Sequence, residues 1–215
     1  MLVRSLRCAV VAALAFAAAI GFQSAASAQT IIDQWSSVTA PPAPALKPAN
    51  LNPKTTALLV MDFVKQTCNE KARPTCVASL PKIKAMIAAA KAKGVTVVWT
   101  SIAGPKREDY QPDVAPPADT PLLIGQIDKF VGTDLEKQLK DKGITTVVLT
   151  GTSAHGAVLF TASGAALRGF NVVVPVDGLS AAPPYAEQAT AYILSVLPGL
   201  AAKVTLTRGD MITYQ

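Results

Sequence analysis

The chain predicts an α/β fold of three layers, α/β/α, built around a parallel sheet of about six strands. Three observations carry this. Apolar and β-branched runs recur along the chain, at Ala57 to Met61, Val95 to Ser101, Ile144 to Leu149 and Val172 to Val176. Between them lie segments with helical spacing, and Gly94, Gly143 and Gly169 stand where those helices must stop. The runs are largely apolar rather than alternating, which suits strands covered on both faces.

The elements follow in order. Ala57 to Met61 is a buried strand that ends on Asp62. Ser79 to Lys93 is a helix, with Ser79 as cap, Pro81 in its first turn and Ile83, Met86, Ile87 and Ala90 on its apolar face. Val95 to Ser101 is the second strand. Ala103 to Thr120 is rich in Pro and Asp and has no periodicity, so it is a long loop, and Leu122 to Ile124 is a short strand. Thr133 to Lys142 is a helix opened by a Thr133…Glu136 capping box. Ile144 to Leu149 is the third strong strand, and a helix from about Gly156 to Arg168 follows it. Pro175 places Val172 to Val176 at a sheet edge or gives it an early end. Tyr185 to Leu197 is helical and Val204 to Thr207 is a last strand. Ligands of such sheets bind beyond the carboxyl ends of the strands. Asp62, Ser101, Gly151 to His155 and Asp177 all fall there.

Residues 1–28 read as a secretory leader. Arg4 and Arg7 precede the apolar run Cys8 to Phe22, and Ala26-Ser27-Ala28 suits cleavage after Ala28. The alternative is a membrane anchor, but the run is short for a span of roughly 20 residues. The expected product is a periplasmic or secreted protein that no longer meets the membrane. Residues 29–54 form a Pro-rich extension, in which Pro41, Pro42, Pro44 and Pro48 favour an extended course. Ile31, Ile32 and Trp35 would pin it to the body or to a neighbouring subunit. Residues 55–215 form the single domain. Losing the leader removes two arginines and no acids, so the net charge falls from +6 to +4. The lysines are scattered along helix faces rather than clustered with aromatics, which argues against a nucleic-acid partner.

Several side chains could carry chemistry. Asp62 ends an apolar strand, where a charge is costly without partners. It is either a carboxylate accepting backbone N–H bonds from the next turn or a general acid/base. Lys129 either pairs with Asp128 at the surface or lies against Asp62 and holds it ionised. His155, the single histidine, sits in the turn Gly151-Thr152-Ser153-Ala154-His155-Gly156. It is either structural or a group that polarises a substrate. The small residues Thr152, Ser153, Ala154, Gly156 and Ala157 let backbone N–H groups approach a ligand at a helix start. Cys68 and Cys76 are close in sequence, and in an oxidising compartment they pair. The other reading is a reactive thiol, although the spacing is not Cys-x-x-Cys and no histidine is near in sequence. No His/Asp/Glu cluster has ligand-like spacing, so neither a metal nor another cofactor is expected.

The order of these motifs resembles the isochorismatase-like hydrolase superfamily. The resemblance rests on Leu-Leu-Val-Met-Asp62, on the Lys-Phe-x-Gly-Thr-x-Leu stretch from Lys129, and on Gly151…Val158…Thr161-Ala162…Ala165…Gly169. It covers about Thr55 to Thr207. It implies a six-stranded parallel sheet, a small-molecule substrate, frequent homo-oligomerisation, and an Asp–Lys–Cys set at the sheet's carboxyl edge. Asp62 matches the aspartate. The cysteine position falls on Ala157, which closes the covalent route of the amidase branch. Isochorismatases also lack that cysteine and cleave a vinyl ether with the aspartate as proton donor. The usual spacing puts the lysine near Ile124, whereas the available base is Lys129. Thr152-Ser153 falls where the family often has a cis peptide beside an anion pocket. The expected function is an exported hydrolase of a small molecule, with an anion favoured, in which Asp62, Lys129 and His155 act without a cysteine. The alternative is a non-catalytic binding or scaffold member of the same fold.

Overall fold

The computed structural model describes residues 29–215, so the leader expected over residues 1–28 lies outside the described residues. The chain divides into two units after Ala40. In the first, Ile31–Gln34 forms a single helical turn, α1, and Ile31, Ile32 and Trp35 are exposed. No helix among the described residues is long and apolar enough to cross a membrane.

The second unit holds the sheet. Its strands are β2 (Thr56–Met61), β3 (Thr96–Ser101), β4 (Leu122–Ile124), β5 (Thr146–Thr152), β6 (Asn171–Pro175), β7 (Leu179–Ser180) and β8 (Val204–Thr207). The order is β4-β3-β2-β5-β6-β8, every pair is parallel, and β7 adds beside the end of β5. The direction of winding reverses between β2 and β5, which makes their carboxyl ends the crevice of the sheet. Pro175 closes β6 at its last residue, so β6 is an inner strand with an early end rather than an edge.

All six residues of β2 are buried, because both faces are covered. Leu59 and Met61 pack with α3 (Leu135–Asp141), α4 (Leu159–Leu167) and α5 (Pro184–Val196) on one face. Leu58 and Val60 pack on the other face with α2 (Pro74–Ala92), through Ile83, Met86 and Ile87. Burying each of these aliphatic side chains contributes roughly 1.5–3 kcal/mol.

Four local expectations shift. The α2 helix begins at Pro74, not Ser79, because Arg73-Pro74 is the earlier start signal; Pro81 lies inside the helix, where its ring removes one backbone donor. The α3 helix begins at Leu135; the Thr133 hydroxyl donates to the Lys129 carbonyl at 2.6 Å and accepts the Leu135 N–H at 3.3 Å, so it binds the helix start from outside the helix. The helix expected from Gly156 divides into a π-type turn, Ala154–Val158, and α4. Within the Pro-rich lead-in, β1 (Ala49–Leu51) pairs in parallel with a C-terminal strand, β9 (Ile212–Tyr214). Residues 41–54 are thereby built into the same unit as the sheet.

The loop between β3 and β4 is held by two side chains. Trp99 donates its indole N–H to the Val114 carbonyl at 2.8 Å. The Arg107 guanidinium donates to the carbonyls of Pro117 and Thr120, each at 2.6 Å.

Cys68 and Cys76 are both buried and joined as a disulfide. The bond ties the segment after β2 to the first turn of α2 and leaves Cys68 without a free thiol. Closing so short a loop lowers the entropy of the unfolded chain by the equivalent of about 2–3 kcal/mol. The Cys68→Ser/Cys76→Ser variant is therefore expected to lose about that much stability in urea denaturation at neutral pH. An unchanged midpoint would show that the loop is held by its hydrogen bonds alone.

Candidate active site

Asp62 leaves β2 with φ of 61°, a left-handed conformation that aspartate tolerates better than most residues. This turns its carboxylate across the end of the sheet. Oδ1 accepts the Thr100 hydroxyl at 3.0 Å, and Oδ2 lies 2.7 Å from Lys129 Nζ. Its partners are therefore side chains of other segments, not N–H groups of the following turn. The Tyr110 hydroxyl lies 2.9 Å from the Val60 carbonyl and 2.8 Å from the Thr100 carbonyl, and it braces the strand ends from which Asp62 and Thr100 project.

Lys129 is wholly buried. Its backbone N–H donates to Thr161 Oγ1 at 3.1 Å, which fixes the peptide against α4. Asp128 is drawn the other way. It accepts the Phe130 N–H at 3.0 Å and lies 3.6 Å from the Arg168 guanidinium, so the Asp128–Lys129 surface pair does not form. Gly164 permits this, since a Cβ there would collide with the Asp128 carboxylate. The Lys129–Asp62 approach is a buried charge pair.

A cavity of about 400 Å³ opens on this pair. Asp62 and Arg73 are its charged lining residues. Arg73 stands at the N-cap position of α2, and its Nη1 donates to Thr152 Oγ1 at 2.9 Å. Thr152, Ser153, Gly156 and Ala157 also line the cavity, and Ile102, Ala103 and Ile127 add apolar surface. The Thr152–Ser153 peptide is cis. At Gly151 a Cβ would sit 2.8 Å from that of Met61, so only glycine lets β5 run this close to β2 and bring Thr152 beside Asp62.

The expected site residues are thus distributed unevenly. Asp62, Thr152, Ser153, Gly156 and Ala157 line one cavity, and Lys129 lies behind Asp62. Ala154 is packed into the core on the α3–α5 face. His155 is exposed and outside the lining, because the π-type turn buries its neighbours and leaves this position outermost. Among the described residues no group of three or more His, Cys, Asp or Glu is placed to hold a metal. Sequence reasoning missed Arg73 and Thr100. The first was within reach, since an arginine before proline between two paired cysteines marks a fixed helix start.

Burial pushes the Asp62 carboxyl above the usual carboxylate range. The Lys129 ammonium, the Thr100 hydroxyl and the Arg73 charge pull it down without cancelling the effect. The folded protein then holds this proton more tightly than the unfolded chain does. The stabilisation from that proton is complete below the ordinary aspartate value of 3.8 and is lost as pH rises through the folded value. Burial lowers the pKa of the Arg73 guanidinium from its usual value, and the Asp62 charge opposes that.

With this geometry in place, the comparisons identify the class. Residues 56–205 match the model of the Isochorismatase domain. The chain belongs to the isochorismatase family, whose members are hydrolases. Over 84 residues it is 42% identical to the isochorismatase family protein YecD of Escherichia coli O157:H7, a stretch that covers 39% of this chain and 44% of that one. The matched stretch thus spans less than half of that relative. An isochorismatase family protein from Desulfovibrio vulgaris superposes with a TM-score of 0.65 at 19% identity, covering 73% of this chain and 95% of that one. N-carbamoylsarcosine amidase from Thermoplasma acidophilum superposes with a TM-score of 0.62 at 24% identity, covering 73% and 97%. These two likenesses establish the fold.

Removing one member of a buried ion pair strands the other. Lys129→Met and Asp62→Asn are each expected to destabilise the protein by about 3–5 kcal/mol at neutral pH. The double variant should be clearly more stable than the sum of the two losses predicts. The Lys129→Met loss should shrink as pH falls and Asp62 takes up its proton. Strictly additive losses in denaturant titrations would show that the two groups do not depend on each other.

Proposed function

We propose that this isochorismatase-family protein is an exported hydrolase of a small anionic molecule, working without a cysteine nucleophile and with Asp62 as the proton carrier. The observation that carries this reading is the 2.7 Å pairing of Asp62 with a wholly buried Lys129 beside a cavity of about 400 Å³. A carboxyl raised by burial can keep and deliver a proton where a free aspartate would not. An anionic substrate that displaces water from the cavity strengthens that push.

Alanine at position 157 offers no nucleophile, so the bond is broken without a covalent enzyme intermediate. Asp62 protonates the substrate, water adds to the carbon made electron-poor and its released proton returns to Asp62; the adduct then collapses, the C–O or C–N bond to the leaving group breaks, and the adduct's hydroxyl proton passes to the departing group. The elements of water end in the products and the aspartate is regenerated. Lys129 holds the carboxylate in place between these steps. Thr152, Ser153, Gly156 and Ala157 contact the substrate, with backbone N–H groups of this turn polarising it. His155, exposed and outside the cavity, has no part in the scheme. The Cys68–Cys76 bond supports a periplasmic or extracellular setting. The exposed Ile31, Ile32 and Trp35 support self-association.

Ala157 also favours a second reading, in which the protein binds its small molecule and does not turn it over. Both readings are tested on the purified protein with small carboxylate-bearing amides, esters and vinyl ethers. Turnover of one of them is expected, with kcat/KM falling as pH rises through the raised Asp62 value, because the protonated form is the donor. In Lys129→Met that fall should move to higher pH, since Lys129 pulls the value down. Asp62→Asn, assayed where circular dichroism shows it folded, should be inactive. Unchanged turnover in Asp62→Asn would sink the mechanism, and binding without turnover across the series would establish the second reading.

A further inference from the structure

Among the described residues, Arg73 is the cation on the cavity lining, and it forms no salt bridge there. Asp62 and Arg73 are the charged groups on the lining, and where Asp62 is ionised its charge is matched by Lys129 behind it. The remainder is one positive charge, on the Arg73 guanidinium. That guanidinium is half-buried and held in position, with Nη1 donating to Thr152 Oγ1 at 2.9 Å. Its backbone is equally constrained. The Arg73 N–H donates to the Asn69 carbonyl at 2.8 Å, Pro74 follows at the start of α2, and the Cys68–Cys76 bond closes the segment around it. One N–H is spent on Thr152, and a guanidinium has five in a planar fork. The unspent edge matches two oxygens in one plane.

We infer that Arg73 is the docking residue for a carboxylate of the ligand, in a molecule whose remaining body is small and uncharged. A carboxylate brings one negative charge and balances the cavity. With Asp62 ionised, a phosphate dianion would leave a surplus negative charge in the cavity. Ile102, Ala103, Ile127 and Ala157 supply the apolar wall for the rest of the molecule. Thr152 is a positioning residue, which acts by aiming the guanidinium. The inference rests on the proposed function only in taking this cavity as the substrate site, and it does not require turnover.

The test uses benzoate as the carboxylate probe, benzamide as its neutral counterpart and phenyl phosphate as the dianion, each titrated by ligand-observed NMR. Benzoate should bind the wild-type protein better than either of the others. Arg73→Met should weaken benzoate by about 10- to 100-fold and leave benzamide unchanged. Arg73→Lys, which keeps the charge and loses the fork, should fall between. Thr152→Val should weaken benzoate less than Arg73→Met does, and Thr152→Ser should restore it. Unchanged benzoate affinity in a folded Arg73→Met protein overturns the assignment, as does no measurable binding of benzoate to the wild type. Should Arg73→Met fail to fold, Thr152→Val decides, and full benzoate affinity there overturns it. Tighter binding of phenyl phosphate overturns the choice of carboxylate. A non-catalytic protein would still bind benzoate through Arg73, so failure of the hydrolase reading is separable from failure of this one.

Discussion

A carboxylate and an ammonium taken out of water each face a penalty of several kcal/mol unless they meet. Here the meeting of Asp62 and Lys129 is arranged by parts of the chain that are far apart in sequence. The left-handed turn at Asp62 aims the carboxylate, and Thr161 on α4 fixes the peptide that carries the lysine. The Thr133 hydroxyl donates to the Lys129 carbonyl while accepting the Leu135 N–H at the start of α3. Arg168 draws Asp128 aside and also lies 4.8 Å over the Phe130 ring. Removing any of these supports would loosen the geometry while the two charges remained buried. The central strands can tolerate the pair because the neighbouring chain has been shaped to hold it.

The sheet was readable because its physical signals are local. The runs at Ala57 to Met61 and Ile144 to Leu149 are apolar on both faces, and only a covered parallel strand accommodates that. Boundaries were less readable where two local rules compete. Ser79-x-Pro81 and Arg73-Pro74 both resemble a helix start, and only the second is used, because the disulfide fixes the chain there. The short strands β1, β7 and β9 carry almost no periodic signal, since two or three residues cannot display one.

The site was legible residue by residue but not as an arrangement. Asp62 stood out as a charge at the end of an apolar strand. Lys129 did not, since Asp128 beside it offers an equally good local partner. The packing of Gly164 and Arg168 against Asp128 separates the two possibilities, and these are contacts between distant segments. His155 drew attention for its chemistry, yet side-chain direction in a π-type turn cannot be read from the sequence of the turn. Arg73 was hidden for the converse reason. Its significance comes from the cavity it faces and from its hold on Thr152, both set by segments distant in sequence, which no local pattern records.

The Arg107 clamp has a consequence for how the molecule can vary. Its guanidinium grips the loop between β3 and β4 solely through main-chain oxygens of Pro117 and Thr120. Main-chain oxygens are present whatever side chain is attached. Substitutions at Pro117 and Thr120 can therefore leave the clamp closed wherever the main chain keeps its course. The same stretch follows Ile102 and Ala103, which border the cavity. A fastening that ignores side-chain identity thus leaves selection free to vary the clamped positions of the loop that borders the chamber, while the charged groups stay in place.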